Sequence, residues 1–226
     1  VEHLEEAESR KRRREMAVEE TKTNILDAAE SFFAEMGFYG TSLRQITERA
    51  GVNVASVNYH FGSKENLMDA VLRRRLEPLN AIRMARLDAV EAEAAEAGEP
   101  PSVRAVMTAL IEPTLRAVVQ PEFGGFSIIM NRVFTEHRGA MMERVGPLIE
   151  PLLNRYLKAL GEALPNLPKE EVVLRFRMSL GAMQHAIHAV RGYLTDSCPR
   201  ALTTAMPEET VVNSLIDYIT RGMEDT

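Results

Sequence analysis

The stretch Thr41–Lys64, TSLRQITERAGVNVASVNYHFGSK, constrains this chain more than any other. Leu43, Ile46 and Ala50 recur at helical spacing behind two hydroxyl residues, Thr41 and Ser42, that can cap a helix start. Gly51 ends that helix, because the position just past a helix often needs a positive φ that glycine adopts without steric cost. Asn53 can cap a second, short helix reaching about Tyr59, with Val54 and Val57 available to pack inward. Ser63 can cap a third, with Asn66 standing where the glutamate of a capping box would usually sit. Two helices joined by a tight glycine-containing turn describe a helix-turn-helix, whose second helix can lie in the major groove of DNA.

The residues ahead of this stretch supply its core. From Lys22 to Met36, the residues Ile25, Ala28, Ala29, Phe32, Phe33 and Met36 form one helical stripe, and Gly37 stops it. Phe38 and Tyr39 are expected to staple the bundle at the turn. The run GVNVASVNYHFGSKENL, preceded by ILDAAESFFAEMGFYGTSLRQITERA, resembles the hallmark segment of the TetR family of bacterial transcriptional regulators. A glycine turn alone would be weak; ILDAA, the Phe pair, GF, TS, AGV and YHFGSKE in order are specific.

That resemblance implies an all-α fold. It comprises a three-helix amino-terminal helix-turn-helix domain over residues 21–67 and a carboxy-terminal helical bundle over 68–226 with an effector pocket and a dimer interface. It further implies a homodimeric repressor that holds a palindromic operator in double-stranded DNA and is released by a small-molecule effector. The expected DNA-binding set is Thr41, Ser42, Arg44, Asn53, Val54, Ala55, Ser56, Asn58, Tyr59, His60 and Lys64. Arg44 stands where the family can contact a base. Val54 and Ala55 can meet thymine methyls, and Asn58 can pair with adenine. Tyr59 and His60 suit phosphate anchoring better than base reading. Lys64 adds charge at a helix start that already favours an anion. Many family members carry a second aromatic where this chain has Asn58, and some a cation where it has Val54, which leaves the operator sequence open.

A formal net charge of -6 looks wrong for a DNA binder. Phosphate contact depends on local charge, however, and a small reading head can work beneath an acidic domain. Between Thr21 and Leu67 the cations are Lys22, Arg44, Arg49 and Lys64, so the head is only modestly basic. Residues 1–20 read as a flexible charged arm carrying Arg10-Lys11-Arg12-Arg13-Arg14. It is either a solvated helical extension or an arm that tracks a phosphate backbone or enters a narrow minor groove. Arg73, Arg74 and Arg75 can graze phosphate or face solvent.

Beyond Ser63 a long helix carries Leu67, Val71 and Leu72, meets Pro78, and resumes at Leu79, Ile82 and Leu87 before the EPPS loop. This linker helix is where a coupling between effector and reading head would run. Further helices are expected over 102–120, 123–137, 139–163, 168–196 and 207–223, with Pro113, Pro147 and Pro151 bending or splitting the first and third. Neither sustained alternation nor a hairpin signal marks a strand.

Two stretches, FSIIMNRVFTEHRGAMM and RFRMSLGAMQHAIHAVR, combine methionine and other apolar residues with embedded polar ones. Methionines either fill core gaps or line adaptable pockets, and the family's architecture favours a pocket. The candidate effector-binding residues are Phe126, Met130, Arg132, Phe134, His137, Met141, Arg177, Met183, Gln184 and His188. Arg132 or Arg177 can neutralise an anionic head or simply bridge surface carboxylates. The linker proline and the carboxy-terminal pattern are similar to the branch of the family that answers fatty acids or acyl-CoA. In the family the last two helices pair across a two-fold axis; here they carry Leu180, Ala186, Val190, Val212, Leu215 and Ile219.

No catalytic constellation emerges: no nucleophile elbow, phosphate-binding glycine loop or HExxH is present, so an enzyme is not expected. No cofactor and no metal are expected either, although His185 and His188 share a helix face. The single Cys198 fits a reducing compartment. No apolar run approaches a membrane span, no leader pattern opens the sequence at Val1, and a cytoplasmic location follows. The alternative readings are an activator in place of a repressor, or a regulator acting through protein partners along the acidic helix 86–99.

Overall fold

The computed structural model describes residues 2–135, 138–190 and 206–224, with side chains described from residue 8 onward except at 134, 138–140, 188 and 189. Among the described residues it is all-helical. In chain order the helices are α1 (Glu2–Gly40), α2 (Leu43–Ala50), α3 (Val54–Phe61), α4 (Lys64–Ala97) and α5 (Val103–Val118). After a short 3-10 turn, Pro121–Phe123, come α6 (Gly124–Thr135), α7 (Arg138–Ala163), α8 (Lys169–Val190) and α9 (Glu208–Glu224). The all-α expectation holds. The prolines do not split their helices: Pro78 lies inside α4, Pro113 inside α5, and Pro147 and Pro151 inside α7. Each removes one backbone donor, and packing on both sides of the gap keeps the helix continuous.

The chain forms two compact units. One is built from Val1–Arg74 with Gly125–Met142, the other from Arg75–Gly124 with Glu143–Thr226. The first unit therefore reaches beyond the helix-turn-helix segment and recruits α6 from a distant part of the sequence.

In the first unit, Ile25, Ala29 and Phe33 of α1 meet Ile46 of α2, Val57 and Phe61 of α3, and Leu67 and Val71 of α4, all buried. The predicted stripe fails at its end. Met36 is 45% exposed and Tyr39 61% exposed, while Phe32 is half-buried. Gly37, with φ of 73° and ψ of 171°, breaks the helix just past Met36 and redirects Phe38 and Tyr39. Tyr39 consequently lies edge-on against Phe38, with ring centroids 5.3 Å apart, on the surface of the turn.

An ion pair inside this unit ties α1 to α4. Glu30 of α1 is buried and accepts from Arg74 of α4, which also reaches Asp27 at 2.6 Å. Arg74 is thus turned inward and is not a phosphate contact. Gly125, at the start of α6, lies against the same glutamate: a Cβ there would come within 3.2 Å of Glu30 Cγ.

The second unit buries α5 along most of its length, packed on α8 and α9, with Leu110, Ile111, Tyr156, Phe176, Ile219 and Met223 at its centre. Arg175 donates to the Met223 carbonyl at 3.0 Å and to Glu171 at 2.8 Å, supplying a partner to a free carbonyl at the end of α9. Exposed pairs such as Arg104–Asp217, at 2.5 Å, add little each. No helix among the described residues is long and apolar enough to cross a membrane.

Replacing Glu30 by Ala should cost about 2–3 kcal/mol. This is below the roughly 3–5 kcal/mol of a fully buried broken pair, because the exposed Asp27 remains for Arg74. The urea midpoint should fall with an unchanged slope; an unmoved midpoint would mean the pair is not holding α1 to α4.

Candidate nucleic-acid interface

The position of α3 is set by short-range capping. Ser42 accepts from the Gln45 backbone at 3.3 Å, and the Gln45 side chain accepts from the Ser42 backbone at 2.8 Å, a complete capping box. Gly51 closes α2 at φ 67°, and its N–H and that of Val52 return to the last turn. Asn53 then caps α3, accepting from the Ser56 backbone at 2.9 Å. Ser63 caps α4 by accepting from Asn66 at 3.1 Å. Thr41 is not a cap, as the sequence suggested, but a clamp. Its hydroxyl is buried and donates back to the carbonyls of Gly37 at 2.8 Å and Phe32 at 3.0 Å. That commitment removes the Thr41 side chain from the outer surface.

With its caps fixed, α3 divides into two faces. Val57 and Phe61 are buried and hold the helix down. Val54, Ala55, Asn58 and Tyr59 are exposed, on one outward strip, while Ser56 and His60 are half-buried. Val54 is 42% exposed and so does not pack inward as one reading of the sequence had it; at the first turn of so short a helix its direction is set by Asn53. Tyr59 is 80% exposed, its ring edge-on to His60 at 5.0 Å.

The cations of the head have different duties. Arg49 donates to Ser31 at 2.6 Å, lies 4.3 Å over the Phe32 ring and pairs with Glu35, so it fastens α2 to α1. Lys64 sits 4.5 Å over the Phe38 ring, and burial lowers its pKa from the ordinary lysine value. Arg44 is exposed on the first turn of α2. At the other end of α1, residues 8–20 are helical and exposed through the run Arg10–Arg14.

The effector candidates divide between the two units. In the first, Phe126 is buried, Met130 half-buried, and Arg132 and Met141 line a cleft of about 90 Å³ with Phe33, Met36, Gly37 and Met68. Arg132 donates to the carbonyls of Ala34 at 3.2 Å and Glu35 at 3.3 Å, so its guanidinium serves the broken end of α1. In the second unit, Met183 and Gln184 are half-buried on α8 and Arg177 is exposed. His137 and the side chains of Phe134 and His188 lie outside the described residues. Among the described residues no cluster of metal-ligating side chains occurs.

Arg83 escaped the sequence reading, and the backbone role of Arg132 was not foreseen. Arg132 acts on backbone nearly a hundred positions away, and no local pattern announces that. Arg83 did leave a signal: Leu76, Leu79, Arg83 and Leu87 follow one helical face, and all four are buried. A cation stands at a core position.

Comparison with known proteins matches the sequence to a family. The model of bacterial regulatory proteins of the tetR family matches residues 25–71, and that of the tetracyclin repressor-like C-terminal domain matches residues 108–222. The HTH-type transcriptional regulator RutR of Escherichia coli K12 is 47% identical over 75 residues, 31% of this chain and 35% of RutR. The HTH-type transcriptional repressor KstR2 of Rhodococcus jostii is 41% identical over 58 residues, 26% of this chain and 28% of KstR2. The matched stretch thus spans about a third of these curated relatives or less. Among solved structures, the transcriptional regulator FadR of Bacillus subtilis, in complex with stearoyl-CoA, superposes with a TM-score of 0.66. That match covers 88% of this chain and 98% of FadR at 14% identity, a likeness of fold. A TetR-like regulator from Rhodococcus sp. RHA1 gives 0.60 at 19% identity over 91% of this chain and 97% of its own. One family model spans the helix-turn-helix and the other about half of the chain, so the chain belongs to the TetR family of bacterial regulatory proteins.

Proposed function

We propose that this chain is a ligand-responsive, cytoplasmic repressor that binds a palindromic operator as a homodimer. The observation that carries the reading is the two-faced α3, with Val57 and Phe61 buried and Val54, Ala55, Asn58 and Tyr59 presented outward. Apolar Val54 and Ala55 meet thymine methyls, Asn58 offers a bidentate pair to adenine, and Arg44 reaches a guanine edge or phosphate. Ser42 and Asn53 act by fixing the helix starts; Tyr59, His60 and Lys64 steady the phosphate backbone. Few free cations in the head mean a shallow salt dependence, with specificity drawn from two heads acting together.

Dimerisation uses the second unit. Leu174 and Met178 of α8 are 45% and 64% exposed, one turn apart, and Tyr218 of α9 is 69% exposed. An apolar strip of this kind on two helices suits an isologous contact with a second copy. Two heads about one DNA turn apart, roughly 34–36 Å, then select an inverted repeat.

The effector is a small apolar or amphipathic molecule bound in the helical unit, and fatty acids or their CoA thioesters are the leading class. Support comes from the resemblance in fold to FadR, whose structure contains stearoyl-CoA. An effector that binds better to a head spacing the operator does not fit shifts the population away from DNA, and DNA weakens its binding by the same factor.

Capture of sheared genomic DNA on the purified protein should enrich a few fragments sharing an inverted repeat. Arg44→Ala should weaken operator binding by at least about 5- to 150-fold, the loss of roughly 1–3 kcal/mol from one base contact, without changing thermal stability. A folded dimer that enriches nothing would overturn the reading. Met178→Asp should move the protein toward monomer in light scattering at micromolar concentration and reduce operator binding with it. A dimer that tolerates the charge would place the interface elsewhere.

A further inference from the structure

Among the described residues, the interior of the second unit holds a cation with no acid beside it. Arg83 of α4 is 7% exposed. Its Nε and Nη2 donate to Thr114 Oγ1 of α5 at 3.1 and 2.8 Å, and its Nη1 donates to Asn80 Oδ1 at 2.8 Å. Both acceptors are neutral. Tyr156 of α7 closes the group from the other side by donating its hydroxyl to the Arg83 carbonyl at 2.9 Å. Burial lowers the guanidinium pKa to about 10, so it stays charged at neutral pH. The other arginines of this region are spoken for: Arg86 pairs with Glu112 at 2.6 Å, and Arg155 with Asp88 and Glu91.

Removing a cation from water is costly unless an anion and good hydrogen bonds compensate it. A fork of five donors matched to two neutral oxygens is half of a charge pair. The fold does not need it, since Leu76, Leu79 and Leu87 build the same helix face from leucine. A second observation gives the site a way to open. Each helix that meets there has a gap in its hydrogen-bond ladder close by: Pro78 in α4, Pro113 next to Thr114 in α5, and Pro151 in α7. Helices lacking a ladder bond deform more readily at that point.

We infer that Arg83 is the anion-recognising residue of the effector site and that it takes the carboxylate of an otherwise apolar acid. The inference rests on the effector reading above and narrows it. One uncompensated guanidinium neutralises one charge, in a bidentate pair that displaces Thr114 and Asn80 as its acceptors. The surroundings are the apolar core of α5 and Tyr156, which suit a hydrocarbon body. A headgroup with several phosphates would leave charges uncompensated, so a free carboxylate is selected over a CoA thioester.

The test uses the full-length protein with decanoate, palmitate, benzoate, the methyl ester of each, and palmitoyl-CoA. At about 100 times Kd, at least one free acid should raise the melting temperature by about 5–10 °C and release captured operator DNA, while its methyl ester does neither. Arg83→Met should remain folded, with a melting temperature equal to or above that of the parent, and bind the acid on the order of 100-fold more weakly. Arg83→Lys, which keeps the charge but not the fork, should retain part of the response. The inference fails if no acid binds, if the ester or the thioester works as well as the acid, or if Arg83→Met responds like the parent. It fails equally if Arg83→Met does not fold and Arg83→Lys has lost stability without a weaker response to the acid. A neutral compound that releases DNA while every acid fails would sink the role of Arg83 and leave the effector reading standing. Loss of operator capture by the unliganded parent would instead strike at the DNA-binding reading.

Discussion

A helix that stops in the middle of a protein leaves carbonyls with nothing to accept. The first unit is organised around such a stop, at Gly37. The left-handed backbone there breaks α1 and turns the chain toward α2. Thr41 covers the carbonyls of Phe32 and Gly37, and Arg132 covers those of Ala34 and Glu35. Thr41 thereby fixes the point from which Ser42 begins α2, and α2 fixes Gly51 and Asn53, the boundaries of the turn before α3. The outward direction of Val54, Ala55, Asn58 and Tyr59 follows from polar bookkeeping at a helix end.

Much of this was legible in the sequence because it is local. Ser42, Gly51, Asn53 and Ser63 act on backbone within about one helical turn, and side-chain types alone identify them. The order of the helices was readable for the same reason, through apolar spacing. Met36 was misjudged because apolar spacing marks a helix face but not how far its neighbours cover it, and Tyr39 because it lies past the break at Gly37. Thr41 was misassigned because a hydroxyl beside a helix start looks like a cap whether it faces forward or back.

Arg74, Arg83 and Arg132 mark the other limit. On paper Arg74 and Arg83 are two more cations in a charged helix, and Arg132 is a lone cation in an apolar one. Their roles are set by Glu30, Thr114 and the Ala34 carbonyl, partners 44, 31 and 98 positions distant. Charge pattern cannot distinguish a solvated arginine from one folded inward, whereas the apolar register can in part. Arg83 interrupts a run of leucines, and a charged residue inside such a run is the trace that a buried cation leaves in sequence.

The discontinuity of the first unit has a consequence for how the protein is made. Gly125–Met142 belongs with Val1–Arg74, and the second unit's Arg75–Gly124 is synthesised between them. At about 5–20 residues per second, the ribosome takes several seconds to deliver Arg132 after the carbonyls it covers. During that interval Phe33 and Met68 lack Ile129 and Val133, which later join them along the cleft. Until α6 is translated, the Ala34 and Glu35 carbonyls lack the Arg132 side chain that covers them in the folded unit.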